Sequence, residues 1–106
     1  MIKEKFAQLI SKRLSLEIND DFGLEEVWEK EISILTENLD KTISYILNDC
    51  PDEEFYWMSE VFEEIVQKVQ SMDFINAIKE RLKKVTNEKY YKDIEQEIED
   101  AIDYLE

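Results

Sequence analysis

The chain contains no histidine. That absence removes the commonest general base near neutral pH and the commonest metal ligand. It also rules out Ser-His-Asp and Cys-His catalytic arrangements. Cys50 is the one cysteine, so no intrachain disulfide can form, which fits a reducing compartment. With no histidine to activate it, its thiol is expected to be a turn or helix-cap residue rather than a nucleophile. Gly23 is the one glycine. A phosphate-cradling loop needs several glycines to bring backbone close to phosphate, so none is expected. One glycine and one proline also argue against sandwiches and barrels, whose hairpins each need turn residues. No segment approaches the roughly 20 apolar residues of a membrane span. The opening Met1-Ile2-Lys3-Glu4-Lys5-Phe6 lacks the apolar stretch of a signal peptide, so the expected location is the cytoplasm.

Basic residues are also scarce. Thirteen stand against 27 acids, for a formal charge of −14. Such a field repels nucleic acid and anionic lipid, and it attracts basic proteins. Neither direct nucleic-acid binding nor membrane binding is expected, since phosphate contacts dominate nucleic-acid affinity. Acidity can also serve solubility alone, so the sign of the charge needs local support. The chain is not a disordered acidic tail: 43% of its residues are hydrophobic, with five Phe, five Tyr and two Trp. Its 106 residues are one domain's worth and suffice for one buried core without metal or disulfide.

The apolar residues recur at helical spacing. Ile2, Phe6, Leu9, Ile10 and Leu14 predict a helix near 2–17. Asn19-Asp20-Asp21 and Gly23 then supply a turn and cap acceptors for the next helix. Leu24, Val27, Trp28, Ile32, Leu35 and Leu39, continued by Ile43, Ile46 and Leu47, predict one long helix over 24–48. Two helices with a kink near Asn38-Asp40 are the alternative; one helix, bent at most, is favoured because neither Gly nor Pro interrupts it. Asn48-Asp49-Cys50-Pro51 ends it, and Pro51 suits the first position of a third helix. Asp52, Glu53 and Glu54 in that first turn complement the helix dipole. The third helix runs to about Gln70 on Met58, Val61, Phe62, Ile65 and Val69. Ser71 or Asp73 caps a fourth, carried by Phe74, Ile75, Ile78, Leu82 and Val85. Thr86-Asn87 precedes the last, about 88–105, on Tyr91, Ile94, Ile98, Ala101 or Ile102, and Leu105. The fold class is therefore all-α, a single antiparallel bundle of about five helices joined by short turns.

Carboxylates provide the remaining chemistry. Glu60, Glu63 and Glu64, and likewise Glu95, Glu99 and Asp103, have a helical spacing that an all-carboxylate metal site would use. No stretch matches a calcium-binding loop with its required glycine, and the simpler reading places these acids in solvent. No catalytic residue, metal ligand or cofactor is expected.

The acids are unevenly placed. Asp52, Glu53, Glu54, Glu60, Glu63 and Glu64 occur with no base among them. Asp93, Glu95, Glu97, Glu99, Asp100, Asp103 and Glu106 do the same. Like charges this dense oppose helix stability, and selection for stability alone would interleave lysine. The first stretch also carries Phe55-Tyr56-Trp57, and three consecutive helical residues cannot all enter one core. Tyr and Trp rimmed by carboxylates suit a Lys/Arg-rich protein surface. The expected partner-binding residues are Asp52, Glu53, Glu54, Tyr56, Trp57, Glu60, Glu63 and Glu64, with the acidic C-terminal helix as second choice.

At Glu54-Phe-Tyr-Trp-Met-Ser-Glu-Val-Phe-Glu-Glu-Ile-Val-Gln-Lys-Val-Gln-Ser71, and again at Ile94-Glu-Gln-Glu-Ile-Glu-Asp-Ala-Ile-Asp-Tyr-Leu105, the chain resembles small immunity proteins of bacterial polymorphic toxin and contact-dependent growth inhibition systems. The resemblance covers roughly the C-terminal half and transfers no binding residue. It implies a cytoplasmic antidote that binds and blocks a cognate toxin domain, often a nuclease. The competing expectation is an acidic adaptor module without a toxin partner. The protein is expected to be a monomer or a homodimer.

Overall fold

A computed structural model describes residues 2–17 and 20–106. Among the described residues the regular secondary structure is all helical, with no strand. Helix α1 spans Ile2–Ser15, α2 Asp21–Glu37, α3 Leu39–Asn48 and α4 Asp52–Met58. A turn of 3-10 helix at Ser59–Val61 follows, then α5 at Phe62–Val69, α6 at Met72–Leu82 and α7 at Glu88–Ile102. No helix among these residues is long and apolar enough to cross a membrane.

Helix starts follow the side chains that can accept a hydrogen bond from the first turn. Asp20, Asn38, Ser71 and Asn87 accept from the backbone N–H of Gly23, Lys41, Phe74 and Tyr90. Asn19, expected in the same turn as Asp20, lies outside the described residues. Gly23 sits inside the first turn of α2 rather than ahead of it. A Cβ there would come within 2.7 Å of the capping carboxylate of Asp20 and 3.0 Å of Leu16, so a larger residue would have to shift both side chains.

Two expected helices are divided. The segment 24–48 is two helices, not one bent helix, because Asn38 adopts an extended conformation (φ −142°, ψ 96°) and caps α3. Thr42 spans the break, its hydroxyl donating to the carbonyl of Leu35 at 2.7 Å. The segment after Pro51 tightens into the 3-10 turn at Ser59–Val61, where the buried Ser59 hydroxyl donates to the carbonyl of Tyr56. Pro51 is itself the N-cap, one residue before the first helical position. The chain thus has more helical segments than the five expected, since polar side chains break helices here without glycine or proline.

One core joins all of these helices. Phe62 is fully buried at its centre, 5.6 Å from the ring of Phe55 and 6.0 Å from that of Phe74. Phe6 of α1 meets Tyr45 of α3 edge-on at 6.0 Å. Ile94, Ile98 and Ala101 supply the buried stripe of α7, as the spacing predicts. Leu14 does not join the core and is 49% exposed. Helices α4, α5 and α6 all pack against α7, which sets residues 52–66 beside residues 90–104.

At the corner between α5 and α6, Gln70 takes the left-handed conformation (φ 46°) that a glycine would occupy more cheaply. Its amide explains the choice. It donates to the carbonyls of Val66 (3.0 Å) and Tyr104 (2.9 Å) and accepts from the N–H of Glu106 (2.8 Å). Gln70 thereby fastens the end of α5 to the end of α7.

Candidate functional site

The two acidic stretches meet. Helix α7 lies along α5 and the 3-10 turn, so Glu60, Glu63 and Glu64 face Glu97 and Asp100 across a shared seam. Burial, then Glu63, Asp100, Glu64 and Glu60, push the Glu97 carboxyl above its ordinary value. Burial, then Glu64 and Asp100, do the same to Glu63. Among the described residues no lysine or arginine pairs with Glu63, Glu64, Glu97 or Asp100. Lys68 lies one turn beyond Glu64 on α5 yet forms no ion pair with it.

The remaining expected contact residues divide sharply. Asp52 accepts from Arg81, a buried guanidinium that also donates to the carbonyl of Cys50 and lies over the ring of Phe55. Glu54 is half-buried and accepts from the hydroxyl of Tyr45 at 2.7 Å. Glu60 receives two donors from Arg13, at 3.1 and 3.0 Å, and the indole N–H of Trp28 at 3.3 Å. Those three acids are engaged within the chain. Glu53 and Glu64 are exposed and Glu63 is half-buried. Of the second stretch, Asp93 pairs with Lys89 at 2.9 Å and accepts from Tyr56, and both bonds hold its carboxyl below its ordinary value.

Tyr56 and Trp57 both lie at the protein's rim, half-buried. Tyr56 stacks on Tyr90 of α7 with centroids 4.2 Å apart and meets Trp57 edge-on at 5.0 Å. The Arg13 guanidinium lies over Trp57 at 4.8 Å. Tyr56, Trp57, Ser59, Glu60, Asp93, Gln96 and Glu97 line a cleft of about 400 Å³ that shares Glu60 and Glu97 with the seam. A larger groove of about 740 Å³ lies elsewhere, between the start of α1 and the α2–α3 break. Its lysines, Lys3, Lys5 and Lys41, alternate with Glu4, Glu37 and Asp49, so it presents no net field of one sign.

Sequence reasoning missed Glu31, Arg13 and Arg81. Glu31 of α2 is fully buried, and neither carboxyl oxygen has a hydrogen-bond partner among the described residues. Burial, reinforced by Glu60 and opposed by Arg13, pushes its carboxyl up to about 8. The signal was present: Glu31 falls midway between Val27 and Leu35, four residues from each, on the buried face. Arg13 and Arg81 gave no such signal, because their acidic partners are distant in sequence.

Among the described residues no three His, Cys, Asp or Glu side chains gather into a group that could hold a metal ion. Burial pushes the Cys50 thiol up to about 12, which keeps it from acting as a thiolate. Carboxylates with no lysine or arginine partner among the described residues line the α5–α7 seam, and Glu97 is shared between that seam and the aromatic cleft. Compared with protein-family models, with curated proteins and with solved structures, the chain matches none.

Proposed function

We propose that this chain is a binding protein that covers a basic surface on another protein, and that it acts as an immunity protein neutralising a cognate bacterial toxin domain of the nuclease type. One observation carries the first half. Two acidic stretches far apart in sequence converge on the α5–α7 seam, where Glu63 and Glu97 are held above their ordinary carboxyl range with no base paired to them among the described residues. Uncompensated like charge at a helix seam opposes folding, and a cationic partner would relieve it. The same charge disfavours self-association through this face, since a second copy would bring more carboxylates to it.

The toxin half rests on the resemblance at residues 54–71 and 94–105 and on the match between a carboxylate array and a cleft built to hold phosphate. Inhibition would then be occlusion, with electrostatic steering speeding capture. The test is protection. Co-expressed in bacteria with the C-terminal domain of a secreted effector encoded beside it, the chain should restore growth. The combined variant Glu63→Gln, Glu64→Gln, Glu97→Gln, Asp100→Asn should not. Death of the host despite abundant folded wild-type chain would refute the antidote reading.

A further inference from the structure

We infer that Glu31, Arg13 and Glu60 form a proton-operated latch: protonated Glu31 leaves Arg13 to Glu60 and closes α1 on the 3-10 turn, and loss of that proton draws Arg13 to Glu31 and opens the joint. This device stands apart from the proposed partner. Glu60 is its hub. It accepts from Nε and Nη2 of Arg13 on α1 and from the indole N–H of Trp28 on α2, so one carboxylate ties both helices to the 3-10 turn. Glu31 lies three residues beyond Trp28 on α2, fully buried, with neither oxygen partnered among the described residues. The indole N–H of Trp57, whose ring lies 4.8 Å from the Arg13 guanidinium, is a buried donor without an acceptor there. The joint therefore holds a spare acid and a spare donor around one guanidinium.

With Glu31 protonated the joint is neutral, and Arg13 and Glu60 are its ion pair. Ionised Glu31 adds a buried charge, and two carboxylates then compete for one guanidinium. Exposure decides that competition. The Glu60 side chain is 24% exposed and keeps Trp28 as a donor, so water can replace Arg13 there. Water does not reach Glu31, and an unpaired buried charge is far costlier than a solvated one. Burial and Glu60 together push the Glu31 carboxyl up to about 8 against the pull of Arg13. Of the other charges on helices packed against α2, Asp40 and Lys41 of α3, Glu64 and Lys68 of α5 and those of α1 are exposed, and Glu63 of α5 is half-buried. None of these shifts Glu31 as Glu60 and Arg13 do.

The test is a tryptophan-emission titration of the full-length chain from about pH 6 to about pH 9, a range in which no histidine titrates because the chain has none. Its two tryptophans both touch the latch, Trp28 on Glu60 and Trp57 beside Arg13. Wild-type emission should change in one step with a midpoint near 8. Over the same range the Arg13 Nε–H signal, held on Glu60 at low pH, should shift in nitrogen-edited NMR. Glu31→Gln keeps nearly the same shape but cannot ionise, and it should leave both signals flat. Glu60→Gln removes the competing acid and frees Arg13 for Glu31, so the step should move down by about one pH unit. A flat wild type, a step that survives Glu31→Gln, or a Glu60→Gln midpoint at or above that of wild type would overturn the latch. So would an Arg13 signal that stays fixed while emission changes, since Glu31 would then ionise without drawing the guanidinium.

Discussion

Replacing Glu31 with glutamine should change how stability depends on pH. In the folded chain Glu31 is fully buried without hydrogen-bond partners among the described residues, and its carboxyl is pushed up to about 8 from an ordinary 4.5. The raised value means that folding favours the protonated form. The stabilising effect is therefore complete below pH 4.5 and is lost progressively as pH rises toward 8. Each pH unit within that window costs about 1.4 kcal/mol, so raising the pH from 5 to 7 removes about 3 kcal/mol through this group. The amide of Glu31→Gln has nearly the same shape and does not titrate. Its unfolding free energy should fall by about 3 kcal/mol less than that of wild type between pH 5 and pH 7. Urea unfolding followed by circular dichroism at both pH values measures this directly, and comparing slopes cancels the other carboxylates, including Glu63 and Glu97. Parallel pH profiles for the two proteins would refute the reasoning. They would mean that Glu31 is ionised inside the fold and held by Arg13.

Other substitutions test the struts that build the site. Arg13→Ala leaves Glu60 without its two-pronged partner and Trp57 without its cation, and should destabilise by about 2–3 kcal/mol in urea unfolding. An unchanged midpoint would show that the bridge contributes nothing. Asn38→Ala removes the cap that restarts the helix at α3 and should cost about 1 kcal/mol. Gln70→Gly relieves the left-handed backbone but gives up the bonds to Tyr104 and Glu106, whereas Gln70→Ala gives up the bonds without relief. The alanine variant should therefore be the less stable of the two by about 1 kcal/mol, and hydrogen exchange should quicken at the end of α7 in both.

What the sequence disclosed follows from how local each feature is. The stripes on α6 and α7 and the caps Asp20 and Ser71 are set by neighbours within one or two turns, so spacing and residue type suffice to find them. The break at Asn38 was partly legible. Its position suggested a bend, but the ability of an asparagine to end one helix by capping the next carries more weight than the absence of glycine and proline. The engagement of Asp52 by Arg81 and of Glu60 by Arg13 depends on packing between residues 29 and 47 positions apart, which no local pattern encodes. The convergence of the acidic stretches on one seam is likewise tertiary: spacing shows that each is acidic, and only the packing of α5 on α7 makes them neighbours.

The most direct measurement maps where a polycation docks. Titrating protamine into the isotope-labelled chain and following backbone amide shifts should perturb residues 62–69 of α5 and 93–104 of α7 first and most strongly. A perturbation centred instead on the exposed acids of α2, Glu25 and Glu29, or spread evenly over the surface, would contradict the account.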